Sequence, residues 1–274
     1  MSKRTLGLIL VLPALAEIIV FFIVPLGASV VGAFELKGGG YGLGNFAQSV
    51  ELYSRDAVFT MVIVTISTVL TAVLAIAIGG YLTLGQNARA VAILRWLYRW
   101  PLFIPFIVVG QVLRTFLAKN GLMNNMLINA GLLTPLDTIG FLDWRGIVIA
   151  FVWKQVPFVA LLVAGAMASL DRGTIEAARN LGASRLRILV EIVVPQIATT
   201  LLVGLVLSFV TMMSVLSVPL MINAQSPTML TTDIAFRLSA YGDYGVANAL
   251  GLISLLISAA AAWIYLSHGM RERA

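Results

Sequence analysis

Six apolar stretches, roughly residues 6–33, 57–84, 91–117, 146–168, 196–222 and 245–267, are each long enough to cross a bilayer, which takes about 20 residues of helix. In hydrocarbon every backbone N–H and C=O must find its partner within the protein, so such stretches read as helices. They take up most of the 274 residues, and only 11% of the chain is charged, against roughly 25% in a soluble domain. The expectation is an all-α, polytopic membrane protein with about six transmembrane helices. Residues 1–274 are read as a single transmembrane domain, with little room for a soluble one.

The loops orient it. The termini and the even-numbered turns hold eleven Lys and Arg, among them Lys3, Arg4, Arg95, Arg99, Arg179 and Arg185. The opposite loops hold five: Lys37, Arg55, Lys119, Arg145 and Arg237. The excess of basic residues marks the cytoplasmic side, so both termini are expected there. Lys3 and Arg4 before an apolar run resemble a secretory signal. The run is too long for one and lacks a small-x-small cleavage site, so it is read as an uncleaved first span. The net charge of +6 is a topology signal. The basic residues are spread along membrane edges and form no single patch, which argues against a nucleic-acid partner. Cysteine is absent, which excludes disulfides and thiolate metal sites.

Several segments interrupt the spans. KGGGYGLGNF (37–46) is expected to be an outer loop without regular structure. Pro101 and Pro105 should kink or unwind span three, and unwound backbone at membrane depth must be buried in protein or line a cavity. In the outer segment 118–145, Leu122, Met126, Ile128 or Asn129, and Leu132 fall near helical spacing between Gly121 and Gly131. This predicts a short amphipathic helix lying on the membrane surface or against a partner. No strong internal repeat is visible, which argues against an inverted-repeat secondary transporter.

Residues 169–195 are the informative loop. Asp171 or Thr174 can cap a helix start, and Glu176 is then expected in the first turn, where the helix dipole favours a negative charge. Gly182 can take the left-handed conformation that ends a helix. Ser184 can cap a second helix that runs to Pro195. Ile175, Ala178 and Leu181 are expected on one side of the first helix, with Glu176, Arg179 and Asn180 around the others. The small Ala177 and Ala178 permit close backbone approach. Such an element suits docking into a groove on another protein, and it equally suits a surface helix that merely connects two spans.

The positions Glu176, Ala177, Ala178, Gly182, Ile192, Val194 and Pro195 resemble the EAA loop of permease subunits of bacterial binding-protein-dependent ABC importers. Val194 stands where that family often has Leu. The resemblance covers about residues 100–220. It implies that the first helix of the loop is a coupling helix docked on a cytoplasmic ATPase. Glu176, Ala177, Ala178, Arg179, Leu181, Gly182 and Ser184 would form the coupling element, and Pro195 would mark re-entry into span five. The implied partners are two cytoplasmic ATPase subunits, a second permease, an extracytoplasmic solute-binding protein and membrane lipid. The implied location is the bacterial cytoplasmic (inner) membrane. The chain has no G-x-x-x-x-G-K-[ST] motif and so lacks a phosphate-cradling loop. It is therefore expected to be a transport subunit, not an enzyme, with no cofactor of its own; ATP and magnesium belong to the ATPase.

Ionisable groups within spans are costly and usually functional. Glu17, Lys154 and Arg114 qualify. Lys154, with Gln155, is either a wall of the solute pathway or half of a structural pair, Glu17 being the expected partner. Arg114 can snorkel outward, with Gln111 one turn away. Thr211 and Ser214 are pathway candidates or helix-to-helix hydrogen bonders. His268 is expected to be an ordinary surface residue, because a metal needs several ligands. EAARNLGAS resembles permeases of the polyamine, opine and phosphonate group, whereas VWKQVPF (152–158) resembles carbohydrate permeases. The first group is placed slightly ahead, with a carbohydrate as the alternative. An ion-coupled secondary transporter and a membrane scaffold are the rival classes.

Overall fold

The computed structural model describes residues 3–223 and 225–271, and all of its regular elements are helices. Among the described residues the only β pairing is an isolated bridge between Glu35 and Tyr41. Five helical stretches are long and apolar enough to cross a membrane: Val11–Phe34, Gly44–Leu84, Trp144–Ala168, Arg185–Ser214 and Tyr244–Ile264. A sixth is bent by 106° between Ala88–Phe103 and Phe106–Asn129. The expected span count holds, with span three broken. The chain divides into two compact units, Met1–Arg55 with Asp233–Leu256, and Asp56–Thr232 with Ile257–Ala274.

In the first unit, α1 (Lys3–Ile18) and α2 (Val24–Phe34) are joined by a wide π-type turn, Ile19–Ile23. Val24 N–H reaches back to Ile19 O just ahead of Pro25, so the ladder loosens where a proline ring would otherwise press on it. The Asn45 amide donates to Ala33 O (3.0 Å) and Glu35 O (2.8 Å), which satisfies carbonyls at the end of α2. Asn45 lies on α3 (Gly44–Leu84), so the expected irregular loop ends sooner than the glycines suggested. Asp243, 1% exposed, pairs with Lys37 (3.0 Å) and Arg237 (3.4 Å) beside α12 (Leu230–Ser239) and at the start of α13 (Tyr244–Arg271). Loop charges that the sequence offered only as topology markers thus gather around one buried carboxylate, with Lys37 reaching it from an exposed position.

The second unit is built around α7 (Trp144–Ala168), the most buried span. Asp143 caps it by accepting from Arg145 N–H at 2.8 Å. The Arg145 side chain, hydrogen-bonded to the same carboxylate, holds the Asp143 carboxyl below its ordinary range. One apolar cluster gathers Ile63, Val109, Ile147, Phe151, Phe209 and Met212; a second gathers Ala75, Tyr98, Val159, Val163, Ile175 and Ile188. The second is the one that holds the 169–195 loop. Here α3 lies close against its neighbours because of a glycine pair. A Cβ on Gly79 would stand 2.7 Å from Val163, and one on Gly80 2.7 Å from Leu189. Gly79→Val is therefore expected to destabilise the protein by about 1–3 kcal/mol through overpacking. Gly165→Ala, where a Cβ meets nothing within 4 Å, should be neutral or better. Thermal melts of the two purified variants compare them directly.

Two breaks shape the opposite end of this unit. α4 (Ala88–Leu97) and a 3-10 turn (Trp100–Phe103) stop at Ile104, and α5 (Phe106–Leu117) starts after Pro105. Ile104 is extended (φ −91°, ψ 122°), as a residue before proline prefers. The second break separates α10 (Val194–Ser214) from α11 (Ser217–Ile222), where the sequence reading had one continuous span. Pro219 has no N–H to give the Val215 carbonyl, which instead accepts from the Thr231 hydroxyl at 3.1 Å. The half-helices α5 and α11 pack on one another. The predicted outer helix is α6 (Leu122–Asn129), ended at Gly131 with φ +72°. Its Asn124 is buried and donates to Lys119 O (2.9 Å) and Ile139 O (2.8 Å).

Candidate functional site

The 169–195 loop folds as two short helices at a left-handed glycine. α8 (Arg172–Asn180) is capped by Asp171, whose carboxylate accepts from Gly173 N–H at 3.0 Å. Of the two expected caps, Asp171 is the one used. α8 ends in a Schellman arrangement: Ala183 N–H donates to Ala178 O and Gly182 N–H to Arg179 O, both at 3.0 Å, with Gly182 at φ +86°. Ser184 then caps α9 (Arg185–Ile188) by accepting from Arg187 N–H at 3.3 Å.

Three expectations are corrected here. Glu176 lies beyond the first turn of α8, because the helix starts at Arg172; the dipole gives no reason for its charge. Leu181 does not share a face with Ile175 and Ala178. It sits at the end of α8 and is 89% exposed, because the helix stops before the i+3 spacing can place it. Pro195 ends nothing: α9 runs through a π-type turn, Leu189–Val193, into α10 as one helix, Arg185–Ser214. Val194 N–H bonds back to Leu189 O, and the wider turn accommodates the proline without a break.

The loop has an anchored face and an open face. Ile175 is buried, and Ala178 and Ala183 pack with it on the cluster of Val159, Val163, Met167 and Ile188. That packing ties α8 to α7 and to the start of span five. The opposite face shows Glu176, Ala177, Arg179, Leu181 and Gly182 to the outside. Leu186 on α9 is also exposed, at 70%. Two large aliphatic side chains on a loop of otherwise charged and small residues are costly to leave in water, at about 1.5–3 kcal/mol each on burial. Arg187 and Glu191 form an exposed i,i+4 pair at 2.9 Å beside them. A Cβ on Gly182 would meet nothing within 4 Å. Its glycine is needed for the turn, and any need for clearance lies with a docked partner.

The intramembrane polar residues fall elsewhere in the same unit. Lys154 donates to Pro101 O and Leu102 O, each at 2.9 Å, and lies 5.5 Å from the Phe106 ring centre. Its ammonium sits where the first half of span three ends and leaves carbonyls without helical partners. Glu17, the expected partner, is an exposed residue of α1. Arg114 makes the equivalent contact at the end of α11, donating to Met221 O at 2.9 Å. Both cations hold the ends of broken helices; the sequence signalled the break in span three through Pro101 and Pro105 but not these partners. Gln155 is buried, with Ser208 donating to its Oε1 at 3.4 Å and its Nε2 without a partner. Gln111, Thr211 and Ser214 are exposed; Thr211 and Ser214 also bond local carbonyls, Leu207 O at 2.7 Å and Thr211 O at 2.9 Å. Among the described residues no group of His, Cys, Asp and Glu could hold a metal. The His268 side chain lies outside the described residues.

Residues 75–271 match the family described as binding-protein-dependent transport system inner membrane component. The trehalose/maltose transport system permease protein of Thermococcus litoralis is 26% identical over 99% of this chain and 96% of its own length. An sn-glycerol-3-phosphate transport system permease protein of Escherichia coli is 29% identical over 89% of this chain and 85% of its own. Among solved structures, a subunit of a bacterial alginate ABC transporter, in complex with an alginate pentasaccharide-bound periplasmic protein, superposes with a TM-score of 0.82. It is 21% identical, with 96% of this chain and 93% of that one covered, and shows a shared fold.

Proposed function

Because the chain belongs to the binding-protein-dependent transport system inner membrane components, we propose that the 169–195 loop is where ATP-driven motion enters a permease subunit of an importer. The partners in this reading are two cytoplasmic ATPase subunits, one of them docked on α8, a second permease, and an extracytoplasmic solute-binding protein. ATP and magnesium belong to the ATPases. Both termini and the loop face the cytoplasm. The observation that carries the reading is the two-faced loop: Glu176, Ala177, Arg179, Leu181 and Gly182 are open for a partner, while Ile175 and Ala178 are locked to the spans. A push on one face is delivered to the other, because the short helix is closed by good caps at both ends.

The solute reading is revised. The polyamine, opine and phosphonate group, favoured by EAARNLGAS, gives way to the carbohydrate class. The relatives that match nearly the whole chain are named for trehalose/maltose and for glycerol phosphate, and the alternative suggested by VWKQVPF is the better supported. Gln111, Thr211 and Ser214 are the exposed candidates for the pathway wall; Lys154 is half-buried and Gln155 buried. The importer reconstituted in vesicles with its binding protein and ATPases should accumulate labelled maltose or glycerol 3-phosphate only when ATP is inside. Uptake of spermidine and of neither of these would restore the first solute reading. Uptake without ATP that collapses with a proton uncoupler would replace the importer reading with a secondary transporter.

A further inference from the structure

A cavity of about 570 Å³ opens beside α8, lined by the end of α3, by α4, by α7 and by α8. Its charge is one-sided. Arg95, Arg99, Arg172 and Arg179 line it, with Glu176 as the one carboxylate. None of the four arginines is in an ion pair among the described residues; Arg99 donates only to the Tyr98 hydroxyl, at 3.3 Å. Four guanidinium groups around one space repel each other unless an anion sits between them. The rest of the lining includes an apolar side, with Leu82, Leu161, Ala164 and Met167. On the same α4 and just beyond it, Trp96 and Trp100 are 61% and 55% exposed and stack edge to face at 4.8 Å. Exposed tryptophans of a membrane protein favour the headgroup level.

We propose that this cavity is a site for an anionic phospholipid, its phosphate held by Arg95, Arg99 and Arg172 and its acyl chains on the apolar wall. A basic pocket between helices at a cytoplasmic membrane edge fits such a headgroup. The placement rests on the cytoplasmic assignment of the loop made above. A soluble phosphate ester would satisfy the arginines and make no use of the apolar wall or of the tryptophan pair, so the lipid is the better fit. The cavity shares Glu176 and Arg179 with the coupling helix, and a bound lipid would thus set the charge beside the docking face.

The test uses the purified full importer. Wild type and the double variant Arg95→Gln/Arg172→Gln are extracted from vesicles of equal parts phosphatidylcholine and phosphatidylglycerol, and bound lipid is read by native mass spectrometry. Each arginine near an anionic headgroup contributes roughly a fivefold gain in affinity, so phosphatidylglycerol retention should fall roughly 25-fold in the variant while phosphatidylcholine retention stays the same. Equal retention of phosphatidylglycerol by both forms overturns the site. Full displacement from wild type by inorganic phosphate overturns the lipid in favour of a soluble anion. A measurement on wild type alone guards against a misfolded variant: added phosphatidylglycerol should raise the melting temperature and phosphatidylcholine should not, and equal effects would also overturn the site. Absence of an ATPase from the complex would count against the importer reading and leave the retention result unaffected.

Discussion

Gly182→Asp is expected to abolish solute uptake while the protein still inserts at normal levels. Gly182 holds φ +86°, a conformation that costs an ordinary L-residue about 1–2 kcal/mol. Aspartate adds a negative charge at the C-terminal end of α8, where the dipole disfavours it, and places it on the open face next to Leu181. The turn and the docking surface are both damaged. Gly182→Asn isolates the charge, because asparagine matches aspartate in shape and in its partial tolerance of the left-handed region but is neutral. It should keep most of the uptake, and Gly182→Ala should fall between. Transport of a labelled sugar into cells, normalised to membrane-inserted protein, ranks the three. Normal uptake by the aspartate variant would remove the loop from the coupling pathway.

Lys154→Met is expected to lower stability by about 2–3 kcal/mol and to leave solute preference unchanged. The ammonium donates to Pro101 O and Leu102 O, and methionine leaves those helix-end carbonyls short of a donor in an apolar setting. Lys154→Arg, which keeps charge and donors, should recover most of the loss. The melting temperature of each purified variant gives the first number and competition between sugars the second. A variant with wild-type stability and altered sugar preference would place Lys154 on the pathway wall.

How much of this was legible in the sequence depended on range. Hydropathy is local and cumulative, so the span count came through, while the second span starts earlier, at Gly44, and the fifth runs Arg185–Ser214 instead of 196–222. The α8–α9 joint was legible because its signals, Asp171, Gly182 and Ser184, lie next to what they cap. Facing was less so: Leu181 was placed with Ile175 and Ala178 by helical spacing, and the helix ended first. Pro195 was read as a boundary, and a π-type turn let the helix pass through it. The break before Ser217 was missed because its cause, Pro219, lies past it. The partners of Lys154 and Arg114 are backbone carbonyls 53 and 107 residues away in the chain. Only a fold could reveal those, since a carbonyl carries no side-chain signature. The apolar clusters that tie the loop to the spans were likewise invisible, because their members, mostly Val, Ile, Leu and Ala, are ordinary residues of any apolar span.

The central claim is that a cytoplasmic ATPase sits on the open face of α8 and α9. Co-purification of the tagged chain from its native membrane tests it most directly, with wild type compared against Leu181→Asp/Leu186→Asp. Both leucines are largely exposed, so the variant should fold and insert as wild type does. The account predicts an ATPase and a second permease with the wild type, and the second permease alone with the variant. An ATPase that stays bound to the variant as firmly as to the wild type, or that is absent from both, would contradict it.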